Sequence, residues 1–132
     1  MFTQQLEHIF TKSNVKEAFS EISSKSSGLD GVSYSEFQKE FSKNIDELLL
    51  HVKSGTFSPE PLKKIEIDKP NSTEKRPIAL SAIKDKLIQR VLYKALNEHF
   101  DKEFSDKSYA YRPNKSTLTI SILWICILKN TL

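Results

Sequence analysis

Ten lysines and all three arginines (Arg76, Arg90 and Arg112) fall between residues 62 and 116, against eight acids, a balance of +5. Residues 1–61 carry six lysines, no arginine and nine acids, a balance of −3. A polyanion partner would touch the second block, although charge alone favours a solvated, lysine-rich surface. Two places in that block have residue types suited to anion chemistry. Lys69 and Arg76 stand on either side of Pro70-Asn71-Ser72. A guanidinium binds phosphate in bidentate fashion and an ammonium acts as a point charge, so the two can converge on one anion. By spacing alone they read as solvated charges beside a turn. The stretch from Tyr109 to Ser116 interleaves Tyr109, Tyr111, Arg112 and Lys115. Such a mixture suits a single nucleic-acid strand, with rings for stacking and cations for phosphates. The alternative reading packs both tyrosines into the core under a rigid Arg-Pro turn. Asp30 precedes Gly31 and reads as a turn former rather than a metal ligand.

Other chemistries are excluded or disfavoured by composition. The single cysteine, Cys126, rules out an internal disulfide and a cysteine-based metal cluster. His8, His51 and His99 are scattered without ligand spacing, which argues against structural zinc. The N-terminal MFTQQLEHIF lacks the basic start and long apolar run of a signal peptide. The apolar stretch from Ile120 to Leu128 is interrupted by Ser121 and is too short to span a bilayer. A cytoplasmic location and no membrane partner are the default expectations. With 132 residues, 38% of them hydrophobic, the chain is about one domain with a modest core.

The elements that must position these residues follow from periodicity. Residues 3–23 read as helix, with Asn14 and Glu17 resembling a capping box and Val15, Ala18, Phe19 and Ile22 at helical spacing. A serine-rich loop leads into a tight turn at Leu29-Asp30-Gly31-Val32. Ser33 and Glu36 form a second capping box, opening a helix that carries Phe37, Phe41, Ile45, Leu48, Leu49 and Val52 along one face as far as Gly55. At Leu62 the period changes to two, with Ile65 and Ile67 alternating with charged residues. A second strand spans Arg76–Leu80, which predicts a hairpin over 62–80. Ser81 is expected to cap a helix over 82–104, and a polar loop fills 105–115. The fold class is α+β, mostly helical with one antiparallel hairpin. The outward apolar positions of these elements, with those of the tail from Ile122 to Leu128, are expected to form an exposed patch that promotes association.

Three stretches in register resemble the fingers region of reverse transcriptases of the group II intron, retron and related bacterial type. The first is Gly28-Leu29-Asp30-Gly31-Val32-Ser33 followed by Phe37. The second runs through Ile67-Asp68-Lys69-Pro70-Asn71, Lys75-Arg76-Pro77-Ile78 and Asp85-Lys86-Leu87-Ile88-Gln89. The third is Ser108-Tyr109-Ala110-Tyr111-Arg112-Pro113-Asn114-Lys115-Ser116. Asp68, Ser72 and Asn114 depart from the pattern, replacing a proline, the hairpin glycine and a glycine after Arg-Pro. Asparagine tolerates positive φ, so the Asn114 turn is expected to survive; the hairpin tip at Ser72 is the more affected.

The resemblance implies residues 1–27 as a helical extension, 28–116 as the fingers of a right-hand polymerase with the palm absent, and 117–132 as an apolar tail, truncated or frameshifted. It implies nucleotide-phosphate contacts at Lys69 and Arg76, with both side chains on one side of the hairpin and free of carboxylates. It implies nucleic-acid contacts at Arg112, Lys115 and Gln89, although Gln89 reads equally as a hydrated helix position. The chain has no Asp or Glu after Asp106, so no catalytic residue and no metal site are expected in it. Mg²⁺ belongs to a full-length member, whose palm aspartates hold divalent ions. The expected function is a fragment of an RNA-directed DNA polymerase, inactive alone, whose partners are an RNA template, deoxynucleotides and a separately encoded palm segment. A non-catalytic RNA-binding module and one subunit of a split enzyme are the competing readings.

Overall fold

The computed structural model describes residues 8–71, 73–112 and 114–116. The chain divides into two compact units, Met1–Ala95 and Leu96–Leu132. The single helix expected over residues 3–23 is interrupted: His8 and Ile9 are helical, Phe10 and Thr11 are not, and α1 spans Lys12–Glu21. Its cap is Thr11, whose hydroxyl accepts the Asn14 N–H at 3.2 Å. The expected Asn14 capping box is therefore displaced by one turn. The Asn14 side-chain amide donates instead to the Ile9 carbonyl at 2.8 Å. The turn ahead is as expected. The Gly31 N–H returns to the Gly28 carbonyl at 3.4 Å, Asp30 Oδ1 accepts the Val32 N–H at 3.3 Å, and Gly31 takes a φ of 73°.

Ser33 and Glu36 form the expected capping box at the start of α2, Tyr34–Lys39. The single long helix predicted from the apolar stripe is broken at Glu40, and α3 runs Phe41–Ser54. Across the break, the Asn44 side-chain amide donates to the Phe37 carbonyl at 3.0 Å, giving that group a partner where the helix is interrupted. Gly55 ends α3 in the left-handed conformation at φ 70°, as its position implied. The ring of Phe19 stacks on Tyr34 at 4.3 Å between centroids and also meets Phe37 and Phe41.

The hairpin pairs β1, Lys63–Asp68, with β2, Lys75–Leu80, in an antiparallel register that sets Ile65 opposite Ile78 and Ile67 opposite Arg76. The Lys69 N–H bonds the Glu74 carbonyl at 3.0 Å, so bonded pairs alternate back from there. Pro77, opposite Glu66, falls at a position whose N–H would point away from β1, and its missing donor costs the ladder nothing.

The last helix, α4, spans Ile83–Phe100. Ala82 supplies the carbonyl for its first turn, accepting the Lys86 N–H at 3.0 Å, so the helix starts one residue later than a Ser81 cap would give. It ends at Phe100 rather than 104. Its buried face, Ile83, Leu87 and Val91, closes a core with Phe10, Val15, Phe19, Phe37, Ile45, Leu48 and Leu49. Each such side chain contributes roughly 1.5–3 kcal/mol by leaving water. Glu21 ties α1 to α4, accepting from Arg90 Nε at 2.8 Å and from Lys94 Nζ at 3.0 Å. Ile65, Ile67, Ile78 and Leu80 on the hairpin are only half-buried and stand outside the core cluster. The tail from Ile122 to Leu128 lies outside the described residues. Among the described residues, no helix is long and apolar enough to cross a membrane.

Gly28 is fixed by packing. A Cβ there would lie 2.5 Å from the Ala82 nitrogen and 2.6 Å from its Cα, backbone atoms that cannot rotate away. Gly28→Ala is therefore expected to lower stability by about 1–3 kcal/mol in chemical denaturation. Asparagine at Gly55, where the added Cβ meets nothing within 4 Å and the side chain tolerates a left-handed backbone, is expected to cost less. Equal losses at the two sites would contradict the close approach of Gly28 and Ala82.

Candidate nucleotide and nucleic-acid interface

A four-residue tip separates Lys69 from Glu74, and Asn71 within it adopts φ 59°. Asparagine accepts that conformation through its short polar side chain, so the tip turns without a glycine. The register continues Ile67 opposite Arg76 to Lys69 beside Glu74. Because side chains alternate along a strand, Lys69 and Arg76 share one face of the hairpin, the face of Ile65, Ile67 and Ile78. As diagonal cross-strand neighbours the two residues lie roughly 7–8 Å apart, their Cβ atoms somewhat closer. Arg76 is exposed, with no carboxylate partner among the described residues. Lys69 departs from expectation. Its ammonium pairs with Glu74 Oε2 at 2.6 Å, because the register brings that carboxylate across from it.

The start of α4 is devoted to bracing. Asp85 is 4% exposed, and its Oδ2 accepts the Glu60 N–H at 3.1 Å while Oδ1 has no partner. Burial pushes its carboxyl above the usual aspartate range. Neighbouring Lys86 donates to the Ser26 carbonyl at 2.6 Å and the Ser24 carbonyl at 3.2 Å, and desolvation lowers its pKa. Gln89 is exposed and lines a shallow groove of about 320 Å³ with Glu21, Lys86, Arg90 and Tyr93. A larger hollow of about 510 Å³, bordered by Asp30, His51, Phe57, Glu60 and Lys84, does not include Lys69 or Arg76.

In the second unit, the Arg112 side chain is only 8% exposed. Its Nε donates to Asp101 Oδ1 at 2.9 Å, Nη2 to the Asp101 carbonyl at 2.9 Å, and Nη1 to the carbonyls of Ser105 and Ser108 at 3.0 Å each. The guanidinium also lies over the Phe104 ring. Arg112 is thus placed as the organiser of its own loop, and most of its donors are committed. Lys115 sits 3.5 Å from Asp106 and over the Tyr109 ring. Tyr111 is 99% exposed at φ 58°, so the reading that packs both tyrosines into the core fails for this one. Asn114 adopts φ 60°, and the Lys115 N–H returns to the Arg112 carbonyl at 3.3 Å, so the turn survives the loss of glycine as expected.

No family model matches the chain. Individual relatives do. The group II intron-encoded protein LtrA of Lactococcus lactis subsp. cremoris is 32% identical over 77 residues, covering 58% of this chain and 13% of that protein. Protein YkfC of Escherichia coli strain K12 is 30% identical over 89 residues, covering 67% of this chain and 23% of that protein. A 91 kDa protein in the cob intron of Schizosaccharomyces pombe is 35% identical over 72 residues, covering 54% of this chain and 9% of that protein. This chain carries a partial reverse-transcriptase-like region of the group II intron type. It spans between about a tenth and a quarter of the length of these curated relatives.

Within this reverse-transcriptase-like region, the residue pattern singled out Lys69, Arg112 and Lys115 but not the acids beside them, Glu74, Asp101 and Asp106. Glu74 was legible in principle, since a four-residue tip places the residues flanking it side by side. Asp101 was not, because its link to Arg112 depends on where α4 ends and how the loop returns.

The Arg112 guanidinium beside Asp101 holds that carboxyl below the usual aspartate range. A depressed pKa in the folded state means the contribution is present above the unfolded value and lost as pH falls through the folded one. The Arg112 Nε–H is expected to be protected from exchange, relative to a free guanidinium, down through the ordinary aspartate range, and to lose that protection only at pH values below it. Asp101→Asn is expected to remove most of that acid dependence. An Arg112 signal that exchanges freely at neutral pH would show that the loop is not built on this pair.

Proposed function

We propose that this chain supplies the nucleotide-phosphate and template contacts of an RNA-directed DNA polymerase of the group II intron type, in the manner of polymerase fingers. The observation that carries the reading is Arg76 on the same hairpin face as Lys69, exposed and without a carboxylate partner among the described residues. A triphosphate presents several charges along its length, and two cations at diagonal positions of one hairpin face can each meet a different phosphate. Template contact falls to the exposed Gln89, to Lys115 and to the ring of Tyr111; Arg112 shapes the loop that presents the last two.

Deoxynucleotides and an RNA template are the substrates this reading assigns, and a separately encoded palm segment is the partner that would complete catalysis. Mg²⁺ would belong to that palm. Among the described residues no three Asp, Glu, His or Cys side chains are grouped to hold a metal ion.

The test is titration of the 132-residue chain with a deoxynucleoside triphosphate, followed at the hairpin amides by NMR. Arg76→Ala is expected to weaken binding roughly three- to tenfold, the loss of one solvent-exposed, charge-assisted contact, and the corresponding nucleoside is expected to leave the hairpin amides unshifted. Equal binding by Arg76→Ala and the parent chain would overturn the reading. Primer extension regained on adding a palm segment, and weakened by Arg76→Ala, would extend the reading to the polymerase reaction.

A further inference from the structure

We propose that Glu74 is a built-in competitor for the anion site: its carboxylate holds Lys69 until a polyphosphate displaces it. The inference rests on the phosphate-binding reading of Lys69 and Arg76 and adds to it a residue that sets which anions are accepted. Glu74 Oε2 lies 2.6 Å from Lys69 Nζ, and the adjoining backbones are bonded through the Lys69 N–H and the Glu74 carbonyl. The hairpin register therefore sets the two residues side by side, within reach of each other's charged ends. The Lys69 and Glu74 side chains are 46% and 69% exposed, so the pair is weak, screened by salt and open to exchange. Arg76 has no such partner among the described residues.

The two cations of one face are thus unequal. A single phosphate meeting Arg76 gains that contact, and must still compete with Glu74 for Lys69 without help from a second charged group. A linear polyphosphate bound at Arg76 brings a second charged group to Lys69 at high local concentration and can outcompete one exposed carboxylate. The consequence is a preference for triphosphate over monophosphate beyond what two free cations would give. Glu66, on the opposite hairpin face, offers a control in which the same charge is removed without touching the pair.

Calorimetry or NMR titration of the full chain with inorganic tripolyphosphate and with orthophosphate tests this. Glu74→Gln is expected to tighten tripolyphosphate binding about two- to fivefold, in keeping with the small worth of an exposed pair. It is also expected to narrow the ratio of tripolyphosphate to orthophosphate affinity, since Lys69 is then free for either. In a Lys69→Ala background the same change is expected to have much less effect, and Glu66→Gln is expected to matter less than Glu74→Gln. Hairpin amide shifts that keep the strand pattern in Glu74→Gln confirm that the fold is intact. No tightening in Glu74→Gln, equal tightening in the Lys69→Ala background, or equal tightening from Glu66→Gln would each overturn the competitor role. If Lys69→Ala and Arg76→Ala bind tripolyphosphate as well as the parent chain, the anion site itself fails, and the competitor with it.

Discussion

Two adjacent residues on the first turn of α4 hold the first unit in register. Asp85 reaches the backbone of Glu60, ahead of the hairpin, and Lys86 reaches the carbonyls of Ser24 and Ser26. Beside them Gly28 lies against the backbone of Ala82 so closely that no Cβ fits. Ala82, Ile83 and Leu87 are wholly buried, so this turn cannot shift without opening the core. The position of β1 and the path of the serine-rich loop both depend on it. The cost is a buried carboxylate with one oxygen unpartnered, tolerated because the other satisfies a backbone donor that would otherwise be orphaned.

Much of this architecture was legible from residue pattern. The change of period at Leu62 located the hairpin, and the Ser33–Glu36 box fixed the start of α2. Gly55 marked the end of α3. The break at Glu40 was not legible, because the apolar stripe runs through it unperturbed. Where the helix is interrupted, the Asn44 side-chain amide serves the Phe37 carbonyl from seven residues away, a contact that periodicity does not show. Likewise Thr11 outcompeted Asn14 as a cap because Asn14 found a partner behind it in Ile9.

At the candidate site the sequence separated residue types better than it separated roles. Lys69, Arg76 and Arg112 share a charge and a place in the resemblance, yet their surroundings assign them differently. Arg76 faces solvent, Lys69 faces a carboxylate, and Arg112 is enclosed by Asp101 and three backbone carbonyls. A guanidinium with its donors spent on its own chain is scaffolding, and only three-dimensional enclosure distinguishes it from one presented to a ligand. The aromatic Tyr111 reverses the usual expectation in the same way, being large, apolar in its body and wholly outside.

The pairs that lock α1 and its following loop to α4 join residues 60 to 77 positions apart in the chain. Bringing such distant segments together carries a loop-closure entropy that local turns do not, and it must be met before the contacts give anything back. During synthesis α1 therefore leaves the ribosome long before Leu87, Arg90 and Lys94 exist to receive it. Its apolar face, Val15, Ala18 and Phe19, has first to make do with α2 and α3. The rings of Phe19, Tyr34, Phe37 and Phe41, which meet in the folded unit, are all close enough in sequence to be made within that interval, so their contacts carry a smaller closure cost than those with α4.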